Sequence, residues 1–185
     1  MIVSEALPNG AHIILEPVES TATVSIGFWF RHGSRDESWA ERGCSHFVEH
    51  MLFKGTTRRS AYTIAQEIDR VGGFLNAFTE KEVTCYYCTL PHEQLELAID
   101  VLSDMVFCSV FDEREIEKEK LVILNEIKTI EDSPDEQAHE RYLMELWSGH
   151  PLSLGSSDSG SPFITRGLTR GAAVVIFFSM GTRST

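Results

Sequence analysis

Residues 43–52 read GCSHFVEHML. His46 and His50 stand four apart, and Glu49 directly precedes the second histidine. On a helix four residues advance 400°, so the two imidazoles lie about 40° apart on one face, one turn apart. That spacing lets both share one tetrahedral zinc ion. Glu49 lies about 100° from His50, close enough to reach a water on the open side of such an ion. The same pattern also suits an amphipathic helix carrying two satisfied histidines, so the rest of the chain has to decide.

A catalytic zinc needs a third protein ligand and one open position. Glu126, in LVILNEIK, follows apolar residues, where a carboxylate is costly without a partner. Glu119 stands seven residues earlier, nearly on the same helical face but about 10 Å away along the axis. That distance suits a residue that orients a ligand better than one that binds the metal. Glu113, Glu115 and Glu117 are close by, so Glu119 could equally be one more solvated charge. Cys85 and Cys88 form a C-x-x-C, which invites a zinc or redox reading. The surrounding EVTCYYCTL is β-branched and aromatic and reads as a strand. Residues three apart on a strand face opposite sides, so these two thiols do not converge on one metal.

These residues need elements to hold them. The histidine helix starts between Ser38 and Gly43, with Ser38 and Glu41 as a candidate capping box, and Gly55 is placed to end it. A second helix runs from Ala61, capped by Ser60, to Gly72-Gly73, with Ile64, Ile68 and Val71 as its apolar stripe. Strands are expected at 1–5 and 11–18, around the Asn9-Gly10 turn. Another is expected at 22–31, where Val24, Ile26, Phe28 and Phe30 share a face. Two more follow at 74–79 and 83–90, and then helical stretches at 92–107, 112–131 and 135–148. From residue 148 the chain is rich in Ser and Gly and reads as a loop; 172–178 is a lone apolar run, and no internal repeat is visible. Strands followed mostly by helices suggest an α+β fold, a mainly antiparallel or mixed sheet with helices packed on it.

The composition of the 185 residues is that of a globular domain of ordinary size, long enough to bury a core without staples. Four cysteines are too few for a disulfide scaffold. The net charge of −12 argues against a nucleic-acid partner and favours Lys/Arg-rich peptides, although it would serve solubility as well. No segment approaches the roughly 20 apolar residues of a membrane span. The first residues show no basic region, apolar run or Arg-rich helix, so the cytoplasm is the default compartment.

HFVEH, Glu126 placed 76 positions after His50, GGFLNAFTEKEVTCYY and FKGT occur together, in order. Over roughly residues 3–152 the chain resembles the insulinase/pitrilysin family of zinc peptidases, in its branch similar to the mitochondrial processing peptidases. The resemblance implies a two-layer α+β sandwich, with His46, His50 and Glu126 as zinc ligands, Glu49 as catalytic base and Glu119 as an accessory acid. It matches Asn76 and Ala77 to the sheet-edge strand that binds substrate backbone. The expected activity is a zinc-dependent endopeptidase acting on unstructured peptides. Family members usually pair two related domains, in one chain or as two subunits, so a second peptidase domain, partner subunit or second copy is expected. After GHPLSLG the match fades. Residues 1–152 are therefore read as the catalytic domain and 153–185 as its atypical, truncated or disrupted end, with the closing strand and helix not recognisable. S-ribosylhomocysteine lyases share the H-x-x-E-H helix, but their third metal ligand is a cysteine and Cys108 lacks the expected context. A fragment that only supports an active partner is the remaining alternative.

Overall fold

The computed structural model describes residues 1–18, 20–38 and 41–153, together with the backbone of 174–181. Six strands form one sheet: β1 (Val3–Ala6), β2 (His12–Val18), β3 (Thr23–Phe30), β4 (Phe74–Thr79), β5 (Thr84–Pro91) and β6 (Val174–Gly181). Their order across the sheet is β1-β2-β6-β3-β5-β4. Every pairing is antiparallel except β2 with β6, which is parallel. Five α-helices lie among the described residues: α1 (Cys44–Leu52), α2 (Ala61–Arg70), α3 (Leu95–Cys108), α4 (Glu113–Glu131) and α5 (Pro134–Leu146).

The alternation in β3 fixes which sheet face is covered. Val24, Ile26 and Phe28 are at most 3% exposed, and they pack with Tyr86, Cys88 and Leu90 of β5. Against this face lie Ile64 and Ile68 of α2 and Ala98, Val101, Leu102 and Met105 of α3. On α3 the buried positions recur at i, i+3 and i+4, the spacing that lines one helical face. Ile99, off that stripe, is exposed. A second apolar cluster joins Phe47 and Met51 of α1 to Ile123 and Ile127 of α4. The chain is thus a two-layer α+β sandwich, as its resemblance implied.

Several local expectations hold. Ser60 Oγ accepts from the Thr63 N–H at 3.1 Å and caps α2. α4 and α5 stand where helices were expected at 112–131 and 135–148; the structure adds their caps, Asp112 and Ser133, and puts Pro134 inside α5. The Cys85 and Cys88 side chains fall on opposite faces. Cys88 lies in the core between sheet and helices, whereas Cys85 lies under Gly27 and Trp29. Burial pushes both thiols up to about 12, so neither is a ready thiolate.

Three expectations are corrected. Ser38 does bond Glu41, through its N–H at 3.2 Å and its hydroxyl at 2.6 Å, but the histidine helix does not begin there. The histidine helix begins at Cys44, after Gly43 in the left-handed conformation (φ 80°). That helix ends at Leu52, and Gly55 instead forms a bridge with Ser60. The apolar run 172–178 is not left over, because its residues from 174 on enter β6 at the middle of the sheet. Apart from Ser153, the remainder of 153–185 lies outside the described residues.

Candidate metal centre

α1 is only nine residues long, and its start is held from outside. Glu37, buried in the preceding loop, accepts from the Gly43 N–H at 2.7 Å and from the Ser45 N–H at 2.6 Å. A carboxylate at that place satisfies two orphan donors and opposes the positive end of the helix dipole. The loop itself is docked on the β4–β5 turn. Ser34 and Arg35 donate backbone N–H groups to the carbonyls of Glu80 and Lys81. Gly33 packs so closely on this turn that a Cβ would overlap the Glu80 carbonyl.

With α1 fixed, Phe47 and Met51 face α4 and bring the two helices together. His46 and His50 then point their Nε2 atoms at each other, 3.1 Å apart, with rings nearly perpendicular (88°). Glu126 Oε2 from α4 lies 3.5 Å from His50 Nε2 and 3.9 Å from His46 Nε2. Two ligand atoms about 2.1 Å from a tetrahedral zinc are roughly 3.4 Å apart, so these three spacings suit a common ion. Two imidazole nitrogens and a carboxylate oxygen facing one point favour positive charge there. Among the described residues this is the one group of three such donors within 4.8 Å of one another. Cys108, at the end of α3, is not part of it.

Glu119 takes the orienting place that its separation from Glu126 suggested. Its Oε1 lies 2.8 Å from His50 Nδ1. Its Oε2 lies 2.6 Å from Lys54 Nζ, and its side chain is only 5% exposed. Burial pushes the Glu119 carboxyl up, but the bonds from Lys54 and His50 outweigh it and hold it below its ordinary value. A carboxylate only accepts, so His50 Nδ1 donates to it, and in the neutral ring the lone pair is then on Nε2. Burial first, and then the neighbouring His50, push the His46 imidazole below its ordinary value against the pull of Glu49 and Glu126. A neutral His46 is the form that offers a lone pair. Glu49 is half-buried on α1, close enough for its charge to act on His46 and on Tyr86 of β5.

Asn76 and Ala77 lie on β4, the outermost strand, against which α1 packs. Glu80 N bonds Val83 O, so the bonded pairs of this hairpin are 80/83, 78/85, 76/87 and 74/89. The backbone groups of Leu75, Ala77 and Thr79 therefore point away from β5. The Ala77 N–H is turned to its neighbour Asn76, whose Oδ1 accepts it at 2.9 Å.

Three features escaped sequence reasoning: Glu37, Lys54 and a charged cluster behind the site. In that cluster Asp104 of α3, 1% exposed, accepts from Thr56 at 2.7 Å and from Arg58 and Arg59 at 2.9 Å each. Arg59 also pairs with Asp100 and Glu67. The cluster ties the loop after α1 to α3. A carboxylate within the apolar LAIDVLSDMV was the one signal that could have pointed to it.

Comparison with known proteins gives the family. The chain is 45% identical over 166 residues to an uncharacterized zinc protease of Bacillus subtilis, covering 88% of this chain and 41% of that protein. It is 42% identical over 130 residues to a probable mitochondrial-processing peptidase subunit beta of Arabidopsis thaliana, covering 70% of this chain and 24% of the relative. It therefore spans less than half the length of these curated relatives. Among solved structures, a peptidase M16 inactive domain from Pseudomonas fluorescens superposes with a TM-score of 0.86 at 19% identity, over the whole of this chain and 47% of that one. A protease from Helicobacter pylori gives 0.84 at 21%, again over the whole chain and 47% of the other. At those identities the likeness is one of fold. The description "Insulinase (Peptidase family M16)" matches residues 12–158, and the chain belongs to that family.

Proposed function

We propose that this chain carries the metal centre of a zinc-dependent endopeptidase, with His46, His50 and Glu126 as the ligands. The observation that carries the reading is the convergence of those three donors from α1 and α4, with α1 packed against the edge strand β4. The naming of several relatives as zinc proteases supports the choice of metal. Zinc, when bound, supplies a Lewis acid that polarises the scissile carbonyl and acidifies water.

The chain's own residues do the rest. Glu119 fixes the ring of His50 with Nε2 toward the other donors. Glu49, one position before His50 and charged beside His46, takes the proton of the attacking water and returns it to the leaving amine. A peptide laid along β4 as an added strand would pair with the backbone of Leu75, Ala77 and Thr79. Asn76 would release the Ala77 N–H to it. Main-chain pairing holds an extended peptide without demanding a sequence, which suits unstructured substrates.

The chain spans less than half of its relatives. A second domain, a partner subunit or a second copy would supply the wall that positions the substrate and closes the site. Positioning of that kind is worth up to roughly 7–11 kcal/mol of barrier. The test is metal analysis with a peptide-cleavage assay, on this chain and on a longer chain that includes the missing portion. The expected result is about one zinc per chain in both and strong cleavage only in the longer one. Absence of zinc from both would overturn the reading.

A further inference from the structure

Lys54 lies just beyond α1, in the turn that closes the helix (Lys54 N–H to Met51 O, 3.0 Å), and reaches Glu119 of α4. Its ammonium is 2.6 Å from Glu119 Oε2, while the other oxygen of the same carboxylate meets His50 Nδ1 at 2.8 Å. The two oxygens are thus divided between an anchor and a ligand. Lys54 is itself held by its surroundings. Gly55 pairs with Ser60, and Thr56 bridges to Ser109 and bonds the buried Asp104. Glu119 is buried, and among the described residues its two oxygens are divided between these two contacts. Without the ammonium its carboxylate could turn about its terminal torsion, a broad two-fold well, and the bond to His50 would lose direction.

We propose that Lys54 is a positioning residue for the metal centre, fixing the Glu119 carboxylate so that His50 presents Nε2 toward His46 and Glu126. The proposal rests on the reading of these three residues as metal ligands. It adds a third member to the chain His50–Glu119–Lys54, one that touches neither metal nor substrate. Loss of a partner that orients a metal-binding histidine typically weakens metal affinity 10–100-fold. Lys54 acts one step farther out, so a loss of about tenfold is expected.

The experiment measures zinc affinity of the full chain by competition with a chromophoric chelator, for the wild type, Lys54→Met, Lys54→Arg, Glu119→Ala and the Lys54→Met/Glu119→Ala pair. Lys54→Met should bind zinc about tenfold more weakly. Lys54→Arg, which keeps the charge and the donor, should stay within about threefold of wild type. In the Glu119→Ala background Lys54→Met should have no further effect. Nitrogen NMR of the zinc-free protein gives a second readout: His50 should be a single Nδ1–H tautomer in wild type and a mixture in Lys54→Met. Lys54→Gln carries the same test should the methionine variant fail to fold. Wild-type affinity and an unchanged tautomer in Lys54→Met would overturn the proposal alone, as would an equal loss with or without Glu119. A wild type that bound no zinc would overturn the metal centre and this proposal with it.

Discussion

Glu37 and Ser45 are joined across the start of the histidine helix, carboxylate oxygen to backbone N–H at 2.6 Å, with Gly43 bonded to the other oxygen at 2.7 Å. A nine-residue helix is too short to hold itself in water, so its pitch and direction come from such ties. Glu37→Ala should cost about 2 kcal/mol of stability, near the sum for a lost cap with charge-assisted bonds. Glu37→Gln, which keeps one acceptor, should cost less. Urea unfolding followed by circular dichroism measures both, and equal stability of Glu37→Ala and wild type would leave the helix start held by something else.

Ligand and base should separate cleanly. Glu126→Gln replaces a carboxylate by a poor ligand and should lose zinc on dialysis. Glu49→Gln should retain zinc and lose roughly 10²–10⁴-fold in turnover, the usual share of general acid–base catalysis. Turnover has to be read in a longer chain that is active to begin with. Full zinc occupancy in Glu126→Gln would remove it from the ligand set, and near-normal turnover in Glu49→Gln would assign the proton to another group.

The register of β4 decides where a proline would discriminate. Phe78 is bonded to Cys85, so Phe78→Pro breaks the sheet itself. Ala77 points outward, so Ala77→Pro removes only the N–H that Asn76 holds and a peptide would claim. Ala77→Pro should keep its circular dichroism and bind an extended peptide several-fold more weakly. Unchanged peptide affinity in the folded variant would place the substrate elsewhere.

Asp104 sets a pH limit on stability. Burial pushes its carboxyl up, but bonds from Thr56, Arg58 and Arg59 outweigh this and hold it below the ordinary value in the folded chain. The unfolded chain therefore takes up the proton first. The stabilisation is complete above about pH 4, the ordinary aspartate range, and is lost as pH falls below it through the folded-state value. Asp104→Ala removes one of the two carboxylates that Arg58 and Arg59 share, Asp100 being the other, and should cost about 2 kcal/mol at neutral pH. Unfolding midpoints from pH 7 to pH 2 should fall less steeply in Asp104→Ala than in wild type, and parallel curves would exclude Asp104 as the titrating group.

What could be read from the residues alone followed from local rules. Alternation gave the covered face of β3, Ser60 gave the start of α2, and helical spacing put His46 and His50 together. Glu119 was legible by its distance from Glu126, although its solvated neighbours hid how deeply it is buried. Glu37 was not, because it reaches its helix from six and eight residues away and forms no local motif. Nor was the outward amide of Ala77. Side-chain alternation tells which face a residue takes, but the direction of its N–H depends on the register with β5. The place of β6 depends on partners more than 140 residues away in the chain, beyond any pattern of neighbours.

That place has a consequence for how the chain comes into being. In the sheet the β1–β2 hairpin reaches its other strands only through β6. During synthesis residues 1–18 emerge before β3, and the strand that joins the two emerges only after β3, β4, β5 and all five helices. At about 5–20 residues per second the hairpin waits on the order of ten seconds. Throughout that interval the β2 edge that will receive Ile176 and Phe178 carries unpaired amides and carbonyls, an open template for other nascent chains. Slow translation would lengthen the exposure, and a holding chaperone bound near residues 12–18 would shorten its effect on yield.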